Sequence, residues 1–214
     1  MAARRCPPPA SLLRAKENRL RNFAWREMSS IVQTLPNFDV GAAPDVNLHI
    51  VLVEPEIPQN TGSVARLAAA THAWLHIVQP IGFALEDRYL KRAGLDYWPN
   101  VTLSVHESLE RLEPMLPKGR TYLFTKQASR SFWDAGMERG AVLVFGRESK
   151  GLPADFIARW AGQGVSIPTT SGVRSLNLAT AVGIGGYEVV RRIAQDQRFL
   201  HAAAGYGGQK GALG

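Results

Sequence analysis

The chain has 214 residues, of which 45% are hydrophobic and 20% charged, a composition typical of a globular protein with one domain or one domain with extensions. Its single cysteine, Cys6, excludes a disulfide within the chain and fits a reducing cytoplasm. No apolar run approaches the roughly 20 residues of a transmembrane helix. The net charge of +7 favours a polyanionic partner such as nucleic acid, although a solvated basic surface would give the same charge.

The two ends of the chain differ in composition from the middle. Residues 1–46 contain "CPPPA", seven Lys or Arg and only four Asp or Glu. Such a segment is typical of a transit peptide, of a basic arm that contacts RNA, or of translated sequence upstream of a start at Met28. We predict an extension that is disordered or outside the core. Residues 47–200 are predicted to form one domain, and the Gly/Ala-rich residues 201–214 a flexible tail.

Between these ends, predicted strands alternate with predicted helices. Leu48 to Val53 is a continuous apolar run, as expected of a strand buried on both faces. Further strands are predicted from Trp74, Asn100, Thr121, Ala141 and Gly164, and a long last helix from about Ser175 to Gln195. This alternation predicts an α/β fold with a mostly parallel sheet flanked by helices.

Three polar patterns follow predicted strands. They are "NTGSVAR" (60–66), "FGRESKGL" (145–152) and "IPTTSGVRSLNLATAV" (167–182). In open α/β sheets ligands bind at the carboxyl ends of strands, and Gly146 lets the backbone approach a ligand. Neither a phosphate-binding P-loop nor a G-x-G-x-x-G fingerprint is present, and the five histidines have no metal-ligand spacing. The patterns therefore predict a small-molecule cofactor site without a metal.

Structural roles also explain several of these residues. Asn60 and Ser175 are predicted helix caps, with Asn177 in the first turn of the last helix. Arg66 is equally consistent with a surface arginine or a partner of Glu54 or Glu56. Mid-helix glycines, which cost about 1 kcal/mol each relative to alanine, predict close approach of the core or of a second subunit; they are Gly183, Gly185 and Gly186.

Taken together, the three patterns resemble the SpoU branch of the SPOUT superfamily of RNA methyltransferases, over about residues 47–194. The branch's signatures N-x-G-x-x-x-R, G-x-E-x-x-G-L and S-x-N-L occur here at Asn60, Gly146 and Ser175 respectively. The stretches "VEPEIPQNTG" and "RAGLDYW" are more narrowly similar to the bacterial tRNA 2′-O-methyltransferases that act on the wobble cytidine or uridine. The amino-terminal extension departs from that compact pattern.

The resemblance implies S-adenosylmethionine as cofactor, tRNA as substrate, a cytoplasmic homodimer and a carboxyl-terminal trefoil knot. It also implies three sets of site residues. The catalytic set is Arg66, Glu148 and Asn177. The cofactor-binding set is Phe124, Thr125, Gly146, Ile167, Ser175 and Leu176. The RNA-binding set is Asn60, Arg66, Arg92, Arg147, Lys150 and Arg174.

The reaction implied is attack of a ribose 2′-hydroxyl on the methyl group of the cofactor. A guanidinium stays protonated throughout the physiological range of pH, so Arg66 is an unusual base. Either a phosphate or Glu148 helps it to move the proton, or Arg66 positions a phosphate and stabilises the developing oxyanion; we favour the second role. The alternatives for the whole protein are methylation of another tRNA position or of rRNA, and a non-enzymatic RNA-binding protein with this fold.

Overall fold

The computed structural model describes residues 46–83, 100–172 and 175–194. Within these ranges six strands form one sheet, in the order β3-β2-β1-β5-β4-β6, and every neighbouring pair is parallel. The strands are β1 (Leu48–Val53), β2 (Ala73–Val78), β3 (Thr102–His106), β4 (Thr121–Phe124), β5 (Ala141–Phe145) and β6 (Gly164–Val165). The predicted parallel α/β sheet is therefore confirmed.

Helices cover both faces of the sheet. They are α1 (Pro58–Thr71), α2 (Leu109–Leu112, continued by a 3-10 turn at Glu113–Met115), α3 (Ala154–Arg159) and α4 (Leu178–Ile193), with a further 3-10 turn at Phe132–Asp134. Val64 of α1 and Val182 of α4 belong to the core cluster on one face. Leu112 of α2 and Phe156 of α3 belong to the cluster on the other. None of the helices in the described ranges is long and apolar enough to cross a membrane.

The strand order reverses at the centre of the sheet. From β1 the chain continues outward through β2 and β3, whereas β5, β4 and β6 lie on the other side of β1. The loops that follow β1 and β5 therefore emerge side by side at the carboxyl edge. Such a reversal point is where open α/β sheets bind ligands.

Two helices begin at other residues than predicted. The prediction that Asn60 caps α1 is wrong, because α1 begins at Pro58 and its cap position is Ile57. The fixed φ of proline suits a first helical turn. The predicted cap Ser175 is also wrong. Asn177 caps α4 instead, with its side-chain oxygen accepting a hydrogen bond from the Thr180 amide at 3.2 Å.

A diagonal row of histidines crosses three strands. His49 Nδ1 lies 3.0 Å from His76 Nε2, and His76 Nδ1 lies 3.0 Å from His106 Nε2. Burial, and secondarily the charge of Arg120, lower the pKa of His49 to about 4, and burial lowers the pKa of His76 well below its usual value. Burial also lowers the pKa of His106, so the row is neutral at pH 7 and links the strands by hydrogen bonds. No group of three or more potential ligands in the described part of the chain is arranged to hold a metal ion.

The glycines of α4 differ in what surrounds them. A Cβ on Gly185 would lie 2.7 Å from Cζ of Phe124, whose ring stacks on Phe145 with 4.5 Å between centroids. Gly186 allows an ordinary contact, with Leu67 at 3.7 Å, and a Cβ on Gly183 would meet no described atom within 4 Å. Close approach of the core therefore accounts for Gly185 and not for Gly183.

Alanine substitutions at these two positions are expected to change stability in opposite directions. Gly185→Ala should lower the free energy of unfolding by about 1–2 kcal/mol, because the Phe124 ring has to move. Gly183→Ala in the same helix should raise it by up to about 1 kcal/mol, because alanine favours the helix. Urea unfolding of both variants measures the difference. Equal changes would contradict the assignment of Gly185 to core packing.

Candidate active site

The loops that carry the three polar patterns meet at the carboxyl edge of the sheet. Gly146 directly follows β5, Thr125 directly follows β4, and Ile167 lies two residues after β6. α1 follows β1, and Asn177 caps the start of α4. Because all the strands are parallel, these positions lie at one edge, where the sequence predicts the cofactor site.

A chain of hydrogen bonds joins one residue from each pattern. The Asn177 amide Nδ2 donates to Asn60 Oδ1 at 2.8 Å, and Asn60 Nδ2 donates to Glu148 Oε1 at 3.0 Å. Glu148 also accepts from the backbone amides of Glu56, at 2.8 Å, and Ile57, at 3.2 Å. The carboxylate of Glu148 thus accepts three hydrogen bonds, two of them from the backbone amides that immediately precede α1.

The loop after β5 closes on itself. Arg147 and Gly151 exchange two backbone hydrogen bonds, of 3.2 and 2.8 Å, which leave Glu148, Ser149 and Lys150 at the tip. A Cβ on Gly146 would lie 2.1 Å from the carbonyl carbon of Gly151. Only glycine therefore fits at the base of this closed loop, hereafter the 146–151 loop.

Two glutamates of the loop after β1 hold the 146–151 loop in place. Glu54 forms an ion pair with Arg147. The Glu56 carboxylate accepts hydrogen bonds from the amide and the hydroxyl of Ser149, both at 2.8 Å. The sequence suggests these glutamates as partners of Arg66 and gives no indication that they contact the 146–151 loop. The missed signal is two acids flanking a proline directly after the central strand.

The basic residues of the predicted RNA-binding set differ in their surroundings. Arg66 is exposed on α1, and Lys150 is exposed at the tip of the 146–151 loop. Arg147 is partly buried and paired with Glu54. Arg92 and Arg174 lie outside the described residues. Arg147 therefore has a structural role in its ion pair with Glu54, in addition to any contact with RNA.

The predicted cofactor-binding residues are mostly half-buried. Phe124 and Ile167 pack, partly exposed, against the larger core cluster. Thr125, Gly146 and Leu176 are also half-buried, and Ser175 is exposed. The edge therefore combines partly exposed apolar surface with loop backbone, as small-molecule sites commonly do.

Comparison with known proteins identifies the family. Residues 47–187 match the model of the SpoU rRNA Methylase family. A putative tRNA (cytidine(34)-2′-O)-methyltransferase of Bacillus subtilis (strain 168) is 45% identical over 150 residues, which are 69% of this chain and 94% of that protein. A tRNA (cytidine(34)-2′-O)-methyltransferase of Acidovorax sp. (strain JS42) is 42% identical, over 67% of this chain and 91% of the relative.

Solved structures agree with these relatives. One, described as giving insights into the 2-OH methylation of C/U34 on tRNA, has 47% identity and a TM-score of 0.66, and covers 69% of this chain and 97% of the other. The SpoU methyltransferase AviRb from Streptomyces viridochromogenes, in complex with AdoMet, shares the fold at 22% identity, with a TM-score of 0.61 over 74% and 63% of the two chains. The chain belongs to the SpoU methylase family.

Proposed function

We propose that this protein is an S-adenosylmethionine-dependent tRNA methyltransferase that modifies the ribose 2′-hydroxyl of the wobble cytidine or uridine. The observation that carries the proposal is the hydrogen-bond chain from Asn177 through Asn60 to Glu148, because it joins all three signature patterns into one site. Relatives at 40–45% identity that carry this activity in their names support the choice of tRNA as substrate.

The residues at the edge suit S-adenosylmethionine. Ile167 and Leu176 offer partly exposed apolar surface for an adenine ring, while Phe124, Thr125 and Gly146 bring backbone to the same edge. The bound cofactor would supply a methyl group already activated by its sulfonium. The side chain of Phe124 is packed on Phe145, so Phe124 would contact the cofactor through its backbone.

The chain's own residues would mainly align the reactants. A donor this reactive needs orientation and exclusion of water more than covalent help. Arg66 would hold a phosphate and stabilise the developing negative charge on the ribose oxygen. Glu148 already accepts hydrogen bonds from Glu56, Ile57 and Asn60, which favours this role of Arg66 over a proton relay through Glu148. Glu148 and Asn177 would then act by fixing the loops.

The RNA would lie across the carboxyl edge. Lys150 is exposed at the tip of the 146–151 loop, Arg66 is exposed on α1, and Asn60 lies between Glu148 and Asn177. Contacts of Arg92, Arg147, Arg174 and Lys150 with phosphates would make binding dependent on salt. The compact core suits a small exposed target such as an anticodon loop. The proposed substrate also supports a cytoplasmic location.

The proposal includes a homodimer and a knot. The exposed side of α4 carries Ile184, 36% exposed, and Tyr187, 55% exposed, and an apolar helix face of this kind supports contact with a second subunit. Light scattering should give twice the chain mass of 23.4 kDa. The mass of one chain would contradict the dimer.

The path of the chain after β6 supports the knot. The chain leaves β6 at the edge of the sheet and returns to pack α4 against β5, β1 and α1.

A methyl-transfer assay tests the activity. Purified protein is given S-adenosylmethionine labelled in its methyl group and unmodified total tRNA, and the labelled nucleotide is mapped. We expect label on the 2′-oxygen of the wobble nucleotide. In Arg66→Ala the rate should fall by at least about a hundredfold, since removing one group that stabilises an oxyanion typically costs that much, while cofactor affinity stays the same.

The other outcomes separate the alternatives. Label elsewhere in tRNA, or in rRNA only, would keep the chemistry and overturn the substrate. Tight cofactor binding without transfer to any RNA would favour a non-enzymatic RNA-binding protein. An Arg66→Ala variant with the wild-type rate would contradict the role of Arg66.

A further inference from the structure

We infer that Glu56 is a positioning residue that sets the cofactor affinity of the site by holding the tip of the 146–151 loop. This inference rests on the proposed function. Glu56 belongs to none of the signature patterns, and it lies in the loop after β1, between Pro55 and Ile57.

The contacts of Glu56 with the 146–151 loop are reciprocal. Its backbone amide donates to Glu148 Oε2 at 2.8 Å. Its own carboxylate accepts from the amide and the hydroxyl of the next residue, Ser149, through one oxygen each, both at 2.8 Å. Each loop therefore supplies a carboxylate that binds backbone of the other, so neither loop can shift alone without breaking hydrogen bonds to a charged group.

The charge of Glu56 is suited to this role. The hydrogen bonds from Ser149 hold the pKa of Glu56 below its usual value, and Lys150 contributes in the same direction. Glu56 is therefore ionised at neutral pH and accepts through both oxygens. Glutamine has a similar shape but no charge, so both contacts with Ser149 lose their charge-assisted character, and the contact with the hydroxyl persists only if the glutamine amide donates to it.

The 146–151 loop transmits the effect to the cofactor site. Its two ends are joined by the hydrogen bonds between Arg147 and Gly151, and Gly146 packs on the backbone of Gly151 and Leu152. A tip released from Glu56 would therefore disturb Gly146, the predicted cofactor contact. Arg66 lies on α1, outside the 146–151 loop, so the reaction at saturating cofactor should be less affected than binding.

The test compares cofactor affinity with turnover in Glu56→Gln. Calorimetric titration with S-adenosylmethionine should show affinity reduced about tenfold, as for loss of a hydrogen bond to a charged group. The rate at saturating cofactor should stay within about twofold of wild type. Glu138→Gln, which removes the charge of an exposed glutamate outside the site, is the matched control and should leave both quantities unchanged.

A double-mutant cycle with Ser149→Ala tests whether Glu56 acts through Ser149. In the Glu56→Gln background, Ser149→Ala should weaken cofactor binding much less than it does alone, because the partner is already impaired. Additive effects would overturn the inference, as would unchanged affinity in Glu56→Gln or a loss of turnover as large as the loss of affinity. Failure of the wild-type protein to bind S-adenosylmethionine would instead count against the proposed function itself.

Discussion

Replacing Gly146 with alanine is expected to abolish S-adenosylmethionine binding and to lower the free energy of unfolding by about 3 kcal/mol. The added Cβ would lie 2.1 Å from the carbonyl carbon of Gly151 and 2.2 Å from the amide nitrogen of Leu152. These are backbone atoms, so no side-chain rotation relieves the clash. The 146–151 loop would have to open, and the contacts of Glu148 with the start of α1 would be lost with it.

Calorimetric titration and urea unfolding measure the two effects. Gly119→Ala is the control, because a Cβ there would meet no described atom within 4 Å. It should match the wild-type protein in both measurements. A Gly146→Ala variant that binds the cofactor with wild-type affinity would show that the loop is not closed as described.

The second large effect is expected from Asn60→Asp, which should reduce methyl transfer by about a hundredfold, the equivalent of about 3 kcal/mol. Asn60 is buried, and its Nδ2 donates to Glu148 at 3.0 Å. Aspartate would still accept from Asn177, but it would replace this donor with a carboxylate facing another carboxylate. The repulsion should separate the first pattern from the second.

Two further variants test whether the loss of activity comes from the contact between positions 60 and 148. Gln59→Glu adds the same charge at the exposed neighbouring position and should have little effect. Combining Asn60→Asp with Glu148→Gln should restore part of the activity, because the new amide can donate to Asp at position 60 while its oxygen accepts from the Glu56 amide. A double variant no more active than Asn60→Asp would argue against a direct contact between the two positions.

Much of the fold could be predicted because its signals are local. The continuous apolar run of β1 and the alternation of strands with helices led to the parallel sheet, which is confirmed. The spacing of the three patterns led to the SpoU methylase family, which is also confirmed. Helix starts were predicted less well at Asn60 and Ser175, since a capping residue is identified by its type, whereas these two positions are set by neighbouring loops. The roles assigned to individual site residues remain predictions.

Other expectations depend on parts of the chain that the structure does not describe. Residues 1–45 and 195–214 lie outside the described ranges, and so do Arg92 and Arg174. The proposed extension, the tail and two of the RNA contacts therefore remain predictions.

The sequence by itself determined the class of fold, the family and which three segments meet at the candidate site, because apolar periodicity and short motifs are properties of neighbouring residues. Only the tertiary structure decided how those segments are joined. Glu148 lies 88 residues from Asn60, and Asn177 lies 117 residues from it, yet the three side chains share one hydrogen-bond chain. The structure likewise assigned Glu54 to Arg147 and Glu56 to Ser149. Such pairings depend on the order of strands in the sheet, which places the loops after β1 and β5 side by side and which no local pattern encodes.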